Sequence, residues 1–246
     1  MLLEKKVAVI YGAGGAIGGA VAEAFAREGA SVFLAGRTRA SLDRVAARIG
    51  TGAEAAEVDA LDEAAVDAYV DGIVQRAGRV DISFNAIGVG DVQRPLKDLT
   101  PEEFLQPIVN AARTQFLTTR AAARHMTGQG SGVILMFGGG GPQTLPGLGG
   151  FKVSLDAMES QRRQWACELA AHGIRLVTLK TGGVPESIPA EFPDRDQITA
   201  GLVEASPTGR VATLADVGDM AAFVASDRAR TLTNAEVNIS CGAIVD

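Results

Sequence analysis

Apolar and polar positions along the chain follow two periods that take turns. Seven short runs rich in β-branched and aliphatic residues read as strands: 5–11 (KKVAVIY), 30–36 (ASVFLAG), 53–59 (AEAAEVD), 80–86 (VDISFNA), 132–137 (GVILMF), 174–179 (IRLVTL) and 235–240 (AEVNIS). Between them apolar residues recur every three or four positions: Ile17, Val21, Ala24 and Phe25; Leu42, Val45, Ala46 and Ile49; Val66, Tyr69, Val70, Ile73 and Val74. That spacing puts each set on one helical face. Strand and helix alternating from end to end predict right-handed crossovers and hence an α/β fold, a doubly wound seven-stranded parallel sheet with helices on both faces. No linker or shift of composition interrupts the alternation, so residues 1–246 are expected to form a single domain. The least regular stretch, 181–210, carries four prolines and an acidic middle just past a strand's carboxyl end. Ligands bind at that edge of an open α/β sheet, which makes the stretch a candidate lid; a plain surface excursion is the competing reading.

Composition narrows the partners. A hydrophobic content of 47% with 21% charged residues supplies ample core. The formal net charge of -6, with no basic cluster, argues against nucleic acid. A small-molecule substrate is the expected partner. The start runs directly into a strand and glycine turn, with no apolar stretch of membrane-spanning length and no export signal, so neither a membrane nor a secretory route is expected. Only Cys167 and Cys241 occur, which fits a reducing cytoplasm. With His125 and His172 as the only histidines and no Cys/His cluster, a metal site is not expected.

Two segments carry candidate chemistry. In VAVIYGAGGAIGGAVAEAF a strand delivers Gly12, Gly14 and Gly15 into a tight turn that opens a helix near Ala16 to Gly18. Backbone amides and the positive helix end converge there, as a pyrophosphate requires, and glycine lets the ligand approach the backbone. A structural turn is the alternative. In FLAGRTRASL the second strand ends in Gly36, where an acidic residue would bind ribose hydroxyls, and Arg37 follows. An arginine there accommodates a 2′-phosphate, with Thr38 as a donor and Arg39 as a possible assistant, so NADP is preferred over NAD; solvated loop charges are the competing reading.

Along essentially its whole length the chain resembles the compact short-chain dehydrogenase/reductases. YGAGGAIG at 11–18 is similar to their glycine turn, with Tyr11 in place of threonine and Ala16 of the middle glycine. VDA at 58–60 puts Asp59 where the family contacts adenine, and NAIG at 85–88 is similar to the family's N-N-A-G. Asn110 matches the helical asparagine that holds a water in the proton relay, and residues 206–243 resemble the closing helix and last strand. The resemblance implies a Rossmann fold holding NADP(H) through Gly12, Gly14, Gly15, Ile17, Gly18, Arg37, Thr38, Asp59, Ala60, Asn85, Ala86, Lys152, Gly182 and Val184. It also implies catalytic roles for Lys152 and Asn110, and a homotetramer or homodimer built on helices near 101–127 and 151–172.

The catalytic segment departs from the family. Where a serine is usual stand Gly138 and Gly139, and Leu148 replaces the tyrosine four residues before Lys152. No shift of register restores it, because Tyr11 and Tyr69 are the only tyrosines. Glycine in place of side chains is expected to open space above the nicotinamide. Gln143, Thr144, Ser154, Asp156, Glu186 and Ser187 are the candidate substitutes. Two readings remain: an NADP(H)-dependent oxidoreductase with an atypical site, reducing a conjugated C=C or a carbonyl, or a catalytically silent dinucleotide-binding sensor or scaffold.

Overall fold

The computed structural model describes residues 1–139, 142 and 144–245. Seven strands form one parallel sheet: β1 (Val7–Tyr11), β2 (Ser31–Gly36), β3 (Ala53–Glu57), β4 (Ile82–Asn85), β5 (Gly132–Phe137), β6 (Ile174–Lys180) and β7 (Ala235–Asn238). Their order is β3-β2-β1-β4-β5-β6-β7, every neighbouring pair parallel. The helices between them are α1 (Ala16–Arg27), α2 (Arg39–Ile49), α3 (Glu63–Ala77), α4 (Pro101–Gln129), α5 (Gly149–Leu169), α6 (Arg195–Glu204) and α7 (Leu214–Ala225). The doubly wound α/β architecture expected from the periodicity is therefore the one observed. Several strands stop short of their predicted ends: residues 58–59, 86 and 239–240 leave the ladder and become loops at the carboxyl edge.

Alternation within the strands feeds two cores. Ala8 and Ile10 of β1 pack with Val21, Phe25, Leu42 and Val217 from α1, α2 and α7. Val9 and Tyr11 face the other way, onto Val66, Val70, Leu117 and Ala166 from α3, α4 and α5. With both faces covered, nearly every position of the central strands β1, β4, β5 and β6 is buried, which is why those runs read as continuously apolar, whereas the edge strands β3 and β7 keep polar, part-exposed positions. Each fully buried aliphatic or aromatic side chain contributes about 1.5–3 kcal/mol. α4 starts at a capping box in which Thr100 Oγ1 accepts from the Glu103 amide and Glu103 Oε2 accepts from the Thr100 amide. α5 crosses it at Gly150, where a Cβ would lie 2.1 Å from the Phe104 carbonyl oxygen, so only glycine permits this approach.

After β3 the chain crosses back to place β4 on the far side of β1. The helices on either side of this reversal lie on opposite faces, leaving a crevice above the carboxyl ends of β1 and β4. Among the described residues no helix is long and apolar enough to cross a membrane, and no cluster of three His, Cys, Asp or Glu could hold a metal ion.

Candidate functional site

A cavity of about 380 Å³ occupies this crevice. Of the residues singled out in the sequence it brings together Gly12, Gly14, Gly15, Arg37, Thr38, Asp59, Ala60, Ala86 and Asn110. The turn is built by close approach. Gly12 has φ +74, and a Cβ there would lie 2.6 Å from the Ala86 carbonyl oxygen. A Cβ on Gly14 would lie 2.3 Å from Ser41 Oγ, and one on Gly18 would lie 2.3 Å from the Gly12 carbonyl oxygen. Gly15 caps α1, so the first amides of that helix, through Ile17 and Gly18, have no partner within it. Ala16, where the resemblance has glycine, is exposed.

The rest of the rim is shaped by local hydrogen bonds. Asp59 Oδ1 accepts from the Leu61 amide at 3.0 Å, and the Val58 amide reaches the Gly36 carbonyl at 3.0 Å. Asn85 is buried; its amide donates to Thr118 Oγ1 at 3.1 Å and its Oδ1 accepts from the Ile87 amide at 3.0 Å, so it fastens the β4 loop to α4 from behind the cavity. Asn110 donates to the Val89 carbonyl at 2.9 Å and accepts from Gln106 at 3.0 Å. Arg37 is exposed at the mouth and engages no other described residue. Arg39 is committed elsewhere, to Asp43 at 2.8 Å and the Ala55 carbonyl at 3.1 Å. Ser41 lines the cavity and donates to the Thr38 carbonyl at 2.8 Å, a contact that no motif announced.

Lys152, Gly182 and Val184 lie outside the cavity lining. Lys152 sits on the first turn of α5, its ammonium 2.7 and 2.6 Å from the two carboxylate oxygens of Asp156. Leu148 holds the N-cap position of α5. Most candidate substitutes are engaged locally: Ser154 donates to the Phe151 carbonyl, Ser187 to the Val184 carbonyl, and Glu186 accepts from the Leu214 amide. Thr144 is exposed, and Gln143 falls outside the described residues. Tyr11 lines the cavity, but its hydroxyl is buried with no hydrogen-bond partner among the described residues, and burial pushes its ionisation far above the ordinary phenol range. It is a poor proton donor.

At Gly138 and Gly139, the two described glycines where a serine is usual, the place of a Cβ is already crowded. Gly138 has φ +99, a conformation that strains any other residue, and a Cβ there would meet Leu155 Cδ2 at 3.0 Å. A Cβ at Gly139 would lie 2.7–2.8 Å from Cβ, Cγ and Cδ of Lys180. Lys180 was missed in the sequence because it ends an apolar strand and belongs to no motif.

The fold's connections to known proteins are consistent. Residues 12–243 match the family model described as enoyl-(acyl carrier protein) reductase. Sorbitol dehydrogenase of Cereibacter sphaeroides is 30% identical, over 98% of this chain and 98% of its own. The oxidoreductase asL5 of Sarocladium schorii is 29% identical, over 98% of this chain and 96% of its own. The crystal structure of 3-ketoacyl-(acyl-carrier-protein) reductase from Brucella melitensis, complexed with NADH, superimposes with a TM-score of 0.89 at 31% identity, covering 99% of this chain and 100% of that one.

Proposed function

This chain belongs to the short-chain dehydrogenase/reductase family, an oxidoreductase whose fold implies a nicotinamide dinucleotide cofactor, and from that premise we propose that it uses NADP(H) at an atypical active site to reduce a conjugated C=C or carbonyl substrate. The observation that carries the cofactor preference is Arg37, at the cavity mouth and unengaged, following Gly36 where an acidic side chain would repel a 2′-phosphate. The glycine cradle fits the pyrophosphate for a physical reason: at Gly12 and Gly14 a Cβ would fill the turn, and α1 directs its free amides there. Asp59 and Ala60 would border the adenine, Gly182 and Val184 the nicotinamide end.

Bound there, the cofactor supplies the hydride. Asn110 keeps the loop through Val89 on α4 and orders the polar side of the cavity. Lys152 would bind the nicotinamide ribose by leaving the exposed Asp156, and the exchange costs little, since i,i+4 helix pairs are worth about 0.3–0.5 kcal/mol. Lys152→Met is expected to weaken NADPH binding about tenfold, the value of one charge-assisted hydrogen bond, whereas Asp156→Ala should leave it within about twofold. Fluorescence titration reads both, and equal affinity of Lys152→Met and the native chain would remove Lys152 from the site.

Residues 181–210 are read as the lid. Its ends are tied down, by Glu186 on the Leu214 amide at 2.6 Å and by Ser206 on the Cys241 carbonyl at 2.9 Å. Between them α6 buries no residue and Phe192 is half exposed, an apolar surface available to close on a substrate. The two unpaired cysteines suit a cytoplasmic setting.

Self-association is read from the outer face of α4 and α5. Phe116 stacks on Trp165 with ring centroids 5.7 Å apart, beside a groove that Val109 and Gln161 also line. Phe116 and Val109 stay exposed, as an interface core would before association. Phe116→Glu is expected to shift the native oligomer to a smaller species in light scattering. A native chain already monomeric at micromolar concentration would contradict this.

The function is tested by NADPH oxidation against ketones, enones and enoyl thioesters. Turnover of any class supports the reading; binding without turnover of all three favours the silent dinucleotide-binding alternative.

A further inference from the structure

We propose that Lys180 is the anion-stabilising, proton-donating group of this active site, reaching from β6 into the volume that a side chain at position 139 would occupy. The proposal rests on the oxidoreductase reading and names the donor which that reading lacks.

The geometry begins with a mutual dependence. Gly138 donates its amide to the Leu179 carbonyl at 3.0 Å, which sets the end of β5 beside the end of β6. The stem of Lys180 then lies where a Cβ of residue 139 would be, 2.7–2.8 Å from Cβ, Cγ and Cδ. Neither serine nor alanine fits there unless the ends of β5 and β6 move apart, because the Lys180 Cβ is among the atoms in the way. Nζ lies two bonds beyond Cδ, so the lysine brings a cation to the neighbourhood in which the resemblance places the missing hydroxyl.

That cation is held in a built cluster. Lys180 is 3% exposed, and its Nζ lies 2.9 Å from Glu236 Oε2 as an ion pair. Glu159 and Arg162 of α5 are equally buried and joined at 2.8 Å. Thr178 donates to Glu159 Oε1, and Arg162 donates to Asn234 Oδ1 at 2.6 Å. Burial pushes the Glu159 carboxyl above its usual range; its hydrogen bond to Glu236 pushes the same way, while those from Thr178 and Arg162 oppose. The Glu236 side chain is 24% exposed and connects the cluster to solvent.

Buried ion pairs contribute little net stability compared with apolar residues of the same volume, so packing alone does not account for four charged side chains gathered between α5, β6 and β7. The cluster links the buried ammonium of Lys180, at the end of β6, to the part-exposed Glu236, and a proton-transferring group needs such a route to solvent. When hydride adds to the substrate carbon, the displaced π electrons reach the substrate oxygen. An N–H bond of Lys180 breaks, the proton forms the O–H bond, and the neutral amine recovers a proton from water by way of Glu236.

The test is a titration of p-nitrophenol, a mimic of the developing oxyanion, into the NADP⁺-saturated protein and into the protein alone. Its phenolate absorbs visibly and the neutral phenol does not. The native chain is expected to prefer the phenolate about tenfold, and Lys180→Met to lose that preference, the effect of one hydrogen bond to a charged group. Lys180→Arg should keep it, and NADPH affinity should not change in either. No phenolate preference in the native chain, or the same preference in Lys180→Met, overturns the proposal. Should Lys180→Met not fold, Lys152→Met decides: retained preference supports Lys180, and lost preference assigns the anion to Lys152 and overturns it. Absence of NADPH binding overturns the function reading instead, while the cofactor-free titration still reads Lys180.

Discussion

Arg37→Asp is expected to raise the Kd for NADPH about a hundredfold while changing that for NADH less than about fivefold. A guanidinium on a phosphate makes charge-assisted, often bidentate hydrogen bonds worth about 1.5–3 kcal/mol, and a carboxylate in its place adds repulsion to their loss. Arg37 can be changed without collateral damage because it is exposed and engages no other described residue. Arg39 does not take over, because it already binds Asp43 and the Ala55 carbonyl. NADH has no 2′-phosphate, and aspartate here would meet the ribose hydroxyls that an acidic residue ordinarily binds. Fluorescence titration with both cofactors reads the result. Equal losses for the two would reassign the cofactor.

Gly18→Ala is expected to abolish dinucleotide binding and lower Tm by roughly 10 °C, on a scale of about 2–4 °C per kcal/mol for a chain of this size. The added Cβ would lie 2.3 Å from the Gly12 oxygen, 2.7 Å from the Gly12 carbonyl carbon and 2.9 Å from the Ala13 Cα. All three are backbone atoms, so no rotamer relieves the clash. Either α1 moves away from β1 or the turn opens, and overpacking of this kind costs about 1–3 kcal/mol or more. Both responses displace the amides that converge on the pyrophosphate. Gly50→Ala provides the contrast in packing: nothing lies within 4 Å of its Cβ, so its cost is confined to its φ of +78. A Gly18→Ala protein with native Tm and native NADPH affinity would show that the turn is looser than its contacts indicate.

The sheet was legible because a parallel sheet covered on both faces leaves no polar side to blur the runs, and strands such as GVILMF begin and end where the sequence places them. The helical stripes were legible for the same reason, with Val21, Phe25, Leu42, Val45, Val66, Val70 and Ile73 all buried. The cradle was legible from the placing of Gly12, Gly14 and Gly15 between a strand and a helix, although what excludes a side chain at Gly12 and Gly14 is distant, the Ala86 carbonyl and Ser41. Contacts between distant segments were not. Ser41 reaches Gly14 only after α2 packs beside the turn, and the meeting of Lys180 with Gly139 depends on the register of β5 against β6. The Lys152–Asp156 pair is the exception: its i,i+4 spacing is visible in the sequence, yet the resemblance directed attention to the cofactor instead. The glycines where the family has serine suggested empty space, whereas at Gly139 the place of a Cβ is taken by a side chain from another strand.

The central claim is that this chain transfers hydride from NADPH without the family's tyrosine and serine. The most direct measurement is to supply NADPH carrying two deuterium atoms at C4, with ketone, enone and enoyl thioester substrates, and to weigh the products by mass spectrometry. One deuterium in a carbon-bound position of at least one product class is the predicted result. Saturable NADPH binding with no deuterium in any product would contradict it and leave a dinucleotide-binding protein that has kept the fold and lost the chemistry.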